Sequence, residues 1–216
     1  MLKALALVLC LADPLQACET ALLLAVDISG SVDAGEYALQ MSGLAAALED
    51  QDIADLLVED SVALSLVHWS GLGRQKLLLP WRHMDTRADV ADFASIVRTL
   101  PRAFDASDTA VGDALRFSIA QFADVPECTR RIIDISGDGP ENVGFTVSRA
   151  RAEAQAAGIV INAIAIEDPG QASPITAFYS RWAVTKGGFV MTARGMEDYA
   201  RAIHAKLLRE LSKLAS

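Results

Sequence analysis

Basic residues are scarce in this chain: 19 Lys and Arg stand against 28 Asp and Glu, a formal net charge of -9. Phosphate recognition relies on clustered Lys and Arg, so nucleic acid is excluded as a partner class. The one mildly basic stretch, Arg201 to Lys213, lies at the end of a helical pattern, where cations complement the helix dipole, and reads as a solvated face. Histidine is equally sparse. His68, His83 and His204 fall at no zinc spacing, and His68, just before Trp69, reads as a packed core or boundary residue. Low-complexity tracts and internal repeats are missing, which argues against disorder and solenoid folds. No apolar run is long enough to cross a bilayer, so no transmembrane segment is expected.

What is present is 52% hydrophobic content over 216 residues, enough for one substantial core and too little chain for two ordinary domains. Residues 1–17 differ from the rest. Met1-Leu2-Lys3 is a short positive head, Ala4 to Ala12 an apolar run, and Ala17 a small residue at its close. This is the pattern of a secretory signal peptide, leaving 18–216 as the mature domain in the periplasm or outside the cell. Leu15-Gln16-Ala17-Cys18 also approximates a lipoprotein processing site, with Gln16 fitting it poorly. Cys10 would leave with the leader, so Cys18 and Cys128 remain, an even count in an oxidising compartment.

Beyond the leader, apolar runs alternate with helical patterns. Strands are expected at 21–26, 61–69, 75–81, 131–135, 159–166 and 188–192. Helices are expected at 35–48, 87–100, 110–122, 146–157, 175–184 and 196–214. Ser70-Gly71-Leu72-Gly73 joins the second and third strands as an antiparallel hairpin. Strands that are apolar on both faces and alternate with helices predict an α/β, doubly wound fold. Its central sheet is mostly parallel with one antiparallel edge strand, and helices cover both faces.

In such sheets ligands bind beyond the carboxyl ends of the strands. Three polar clusters fall there: Asp27-Ile28-Ser29-Gly30-Ser31, Ser107-Asp108-Thr109 and Gly137-Asp138-Gly139. Each offers hard oxygen donors without sulfur or imidazole, a set suited to Mg²⁺, Mn²⁺ or Ca²⁺. Asp-x-Ser-x-Ser, a mid-chain Thr and a later Asp-Gly, in this order, resemble the metal-ion-dependent adhesion site of von Willebrand factor A domains. Trp69-Ser70-Gly71, Asp108-Thr109-Ala110-Val111-Gly112 and Ile135-Ser136-Gly137-Asp138-Gly139-Pro140-Glu141-Asn142 look like the bacterial exported DUF1194 group.

The resemblance implies a non-enzymatic binding module. Ser29 and Ser31 would bind the cation directly, Thr109 directly or through water, and Asp27 and Asp138 through waters. One position would stay open for an Asp or Glu carboxylate of a protein partner. Gly137 departs from the pattern, because Thr or Ser usually stands there. The resemblance also places the first strand beside the 131–135 strand. Cys18 precedes Asp27 by nine residues and Cys128 precedes Asp138 by ten; on adjacent strands these offsets bring the two cysteines within disulfide reach.

Other chemistries fit less well. Gly30 to Gly35 has phosphate-loop spacing, but Glu36-Tyr37 follows where Lys and Ser or Thr are required. No Ser sits in a Gly-x-Ser-x-Gly elbow. The alternative is a metal-dependent hydrolase of phosphate or acyl groups, which Asp108 and Glu141, close in sequence to the site, keep open.

Overall fold

Thr20–Asp27 (β1) is buried at every position, because strand alternation sends its side chains into two separate cores. The computed structural model describes residues 18–105, 108–168 and 174–212. The leader 1–17, Ser107 and the end of the last helical pattern, Lys213-Leu214, lie outside the described residues. On one face Leu22, Leu24 and Val26 pack against helices α1 (Ala34–Leu48), α3 (Arg87–Thr99) and α7 (Tyr199–Leu211), through residues such as Leu44, Phe93 and Ile203. On the other face Ala21, Leu23 and Ala25 meet α4 (Val111–Gln121), α5 (Val147–Ala156) and α6 (Ile175–Phe178), through Leu115, Ala150 and Ile175.

The remaining strands are β2 (Ala63–Trp69), β3 (Gln75–His83), β4 (Arg130–Gly137), β5 (Ile159–Glu167) and β6 (Val190–Arg194). Their order across the sheet is β3-β2-β1-β4-β5-β6. All neighbours run parallel except β2 and β3, the expected hairpin. The chain winds outward from β1 in one direction and from β4 in the other, so the topological switch point lies between these two central strands.

Three readings are corrected. A helix, α2 (Gln51–Glu59), was not anticipated; Asp50 caps it by accepting from the Asp52 and Ile53 amides, and Ile53 and Leu57 bury its inner side. It is too short for its periodicity to stand out. Second, β2 starts after Ser61, whose φ of 44° is a turn conformation rather than an extended one. Third, the basic stretch from Arg201 is not a solvated face throughout. Lys206 is wholly buried and pairs with Asp134 of β4 at 2.6 Å and with Glu210 one turn on.

β1 and β4 pair Thr20 with Arg130 and Val26 with Ser136, an offset equal to the 110-residue separation of Cys18 and Cys128. The cysteines continue that ladder beyond its amino end. They are joined by a disulfide with Cα atoms 4.6 Å apart.

A carboxylate and hydroxyl cluster at the switch point

At the carboxyl end of β1, Asp27 is fully buried and its Oδ1 accepts the Ser29 amide at 2.7 Å. The backbone turns sharply there, which swings alternate side chains to one side. Ser29 Oγ lies 3.2 Å from Ser31 Oγ, and the Ser31 hydroxyl donates to Asp138 Oδ1 at 2.6 Å. Asp138 follows directly on β4. The first and third clusters therefore meet at the switch point, joined through the Ser29 and Ser31 hydroxyls.

Thr109 arrives through its backbone. Its amide donates to Asn142 Oδ1 and its carbonyl accepts the Asn142 amide, while the next amide, Ala110, donates to the Ser70 carbonyl at the end of β2. The Thr109 loop is thus tied to the strand end on one side and to the segment after β4 on the other. Glu141 completes this frame. Its two carboxylate oxygens accept the Gly112 and Val147 amides, so one buried side chain caps the amino ends of both α4 and α5. Gly112 permits that approach, because a Cβ there would lie 2.2 Å from Thr146 Oγ1.

Two supporting residues escaped the sequence reading. Arg102, just past the Pro101 that stops α3, donates to the carbonyls of Ile28, Ser29 and Val32 at 2.7 to 2.8 Å. Its guanidinium holds the Asp27–Val32 loop from behind. Gln40 of α1 is buried and reaches the Asp27 carbonyl and Ser136 Oγ, both at 3.4 Å. Neither carries a local signal, since an Arg after a helix stop and a Gln inside a helix are ordinary in sequence.

The cluster is electrostatically strained without a cation. Burial, and after it the charge of Asp138, pushes Asp27 up to about 8. Burial also raises Asp138, with Glu36 and Asp168 adding to the effect and the Ser31 hydroxyl opposing it. Asp27 Oδ2 is buried with no hydrogen-bond partner. An orphaned carboxylate oxygen beside converging hydroxyls and the carboxylate of Asp138 is an environment that a hard dication relieves, so the residues fit such an ion. Among the described residues no three His, Cys, Asp or Glu side chains converge, which leaves hydroxyls as an essential part of the donor set. His68, by contrast, is core: it is fully buried against Tyr37, and burial holds it down at about 4, hence neutral.

A cleft of about 490 Å³ lies near the other end of the sheet, lined by Arg130, Arg131 and Glu210 among others. It contains none of the converging oxygens.

Residues 17–215 match the family described as a protein of unknown function, DUF1194. No curated protein matches the chain in sequence. Among solved structures, proximal thread matrix protein 1 from the mussel byssus is similar at 16% identity, with a TM-score of 0.68 over 91% of this chain and 47% of that one. This chain therefore spans about half the length of the mussel protein. Another structure of that protein carries a zinc-occupied metal-ion-dependent adhesion site (TM-score 0.66, 16% identity, 91% and 46% covered). An aerotolerance-related membrane protein from Bacteroides fragilis is similar at 17% identity and a TM-score of 0.63, over 88% of this chain and 99% of that one. A von Willebrand factor type A protein from Catenulispora acidiphila is similar at 15% identity and 0.63, over 89% and 43%. These likenesses establish the von Willebrand factor A fold.

Proposed function

The chain belongs to the DUF1194 family, and from that premise we propose that it is an exported binding module that grips an acidic group of a protein partner through a divalent cation. The observation that carries the reading is the run Asp27, Ser29, Ser31, Asp138 at the switch point: the Ser29 amide donates to Asp27, the Ser29 and Ser31 hydroxyls meet, Ser31 donates to Asp138, and Asp27 Oδ2 is left unpartnered. Ser29, Ser31 and Thr109 would hold the ion, Mg²⁺ by preference for hard oxygens, while Asp27 and Asp138 would hold its waters. When bound, the ion supplies a positive charge only partly neutralised by neutral hydroxyls, and this attracts an incoming Asp or Glu carboxylate. Glu36 and Asp168, which already bear on Asp138, would concentrate cations at this end of the molecule.

Binding is favoured over hydrolysis by what Glu141 does. Both of its oxygens are committed to helix amides, so it is not placed to act as a base. Export is supported by the apolar leader and by the Cys18–Cys128 bridge, which persists in oxidising compartments. Among the described residues no helix is long and apolar enough to cross a membrane.

Calorimetric titration of Mg²⁺, Mn²⁺, Ca²⁺ and Zn²⁺ into the purified protein tests the site. One binding event is expected with wild type and none with Asp27→Ala; equal heats from the two proteins would overturn the assignment. Affinity capture from envelope extract, with Mg²⁺ and then with chelator, should then retain the partner only in the presence of the ion.

A further inference from the structure

Gly137 closes β4 beside Asp27, and the space above its backbone is already taken. A Cβ on Gly137 would lie 2.1 Å from Tyr179 Oη and 3.1 Å from Asp27 Oδ2. Those two oxygens flank the same point, and each is buried with no hydrogen-bond partner. Tyr179 opens a π-helical turn, Tyr179–Ala183, that continues α6; such turns widen a helix locally and recur at functional sites. The residue is wholly buried, and its ring is held edge-on by Phe178 at 5.3 Å between centroids. A buried phenol without an acceptor and a buried carboxylate oxygen without a donor are complementary and each costly alone.

We propose that Tyr179 is a positioning residue of the cation site: its phenol occupies the space that Gly137 leaves open and, once a cation is held, closes on Asp27 Oδ2 and donates to it. The absence of a side chain at 137 and the presence of a tyrosine at 179 are then one device rather than two accidents. A serine at 137 and a tyrosine at 179 exclude one another sterically. The hydroxyl serving Asp27 comes from a segment 42 positions beyond Gly137 in sequence, and that segment links the site to the α6 side of the fold. The proposal rests on the cation reading above.

The test is Mg²⁺ calorimetry on the whole disulfide-bonded protein, with four chains compared: wild type, Tyr179→Phe, Gly137→Ser and the double variant. Tyr179→Phe should weaken Mg²⁺ binding roughly tenfold, as expected for losing a hydrogen bond to a charged group. Its melting temperature in chelator should be unchanged or higher, because an unpartnered buried hydroxyl has gone. Gly137→Ser alone should lower both affinity and melting temperature. Adding Tyr179→Phe to it should restore part of each, since the serine hydroxyl then has the space. Mg²⁺ should also produce a tyrosine difference spectrum in wild type that Tyr179→Phe lacks, a signal that Tyr37 and Tyr199 cannot replace. Tyr179→Phe binding Mg²⁺ as tightly as wild type, while Asp27→Ala does not bind, would overturn the role of Tyr179 alone. Wild type and Asp27→Ala behaving alike would overturn the cation reading and this proposal together.

Discussion

Arg102 holds the site loop in a way that a single carboxylate or amide could not. Three carbonyls, from Ile28, Ser29 and Val32, converge on one guanidinium, and the rigid fork of arginine supplies several donors in fixed directions. Arg102→Ala should destabilise the chain by about 2–4 kcal/mol, since several charge-assisted bonds are lost at once and the carbonyls stay partly buried. It should also weaken Mg²⁺ binding by loosening Ser29 and Ser31. Arg102→Lys should recover little, because a single ammonium does not reproduce the fork. Thermal melts in chelator and Mg²⁺ calorimetry measure the two effects separately; a variant with wild-type values in both would remove Arg102 from this account. At this scale the sequence was unevenly informative. Asp27, Ser29 and Ser31 are legible because one strand end presents them in a row, with alternation fixing their side. Arg102 and Tyr179 are not, because their roles depend on which distant segment lies beside them.

Helix α7 shows the same division between pattern and partner. Its apolar line, Tyr199, Ile203, Leu207 and Leu211, is visible as a helical period and is buried. Lys206 and Glu210 share that buried flank, and only the position of Asp134 on β4 explains them. Burial first, and the nearby Asp134 charge, lift Glu210 to about 7 despite Lys206; burial likewise raises Asp134. Asn162 of β5 donates to the same Glu210 oxygen, and Arg130 donates to its backbone carbonyl. Between the ordinary carboxylate range, about 4.3, and about 7, the folded chain retains a proton that the unfolded chain has released. Stability is therefore greatest below that window and falls as pH rises through it. Glu210→Gln should flatten the decline by an amount on the order of 2 kcal/mol. Melting curves at pH 5 and pH 7.5 for variant and wild type give the comparison. Asp27 shifts in the same sense and is common to both, while Asp134 shares Lys206 with Glu210, so the difference reports this coupled pair; parallel declines would refute it. The missed helix α2 has a simpler cause, since three buried positions in nine residues, Ile53, Ala54 and Leu57, leave too short a period to read.

For the molecule as a whole, a mostly parallel sheet with one hairpin follows from two-sided apolar strands alternating with helices, and that much is readable in sequence. The pairing of β1 with β4 comes only with the family resemblance; the matching offsets of Cys18 and Cys128 then give a register that determines both ends of the central pair. It brings Asp27 and Asp138 together at one end and Cys18 and Cys128 together at the other. The bridge decides how much of this chain can lengthen under load. Pulled from its ends, the oxidised protein cannot extend the 110-residue separation between the cysteines, a hidden length on the order of 350–400 Å at full extension. Single-molecule stretching should show an unfolding step longer by about that amount once the bridge is reduced. Equal step lengths in both states would mean the bridge is not formed. Both strands whose tips carry Asp27 and Asp138 start at this bond, so tension applied at those tips is returned to a covalent anchor, and the two tips are held from sliding past one another.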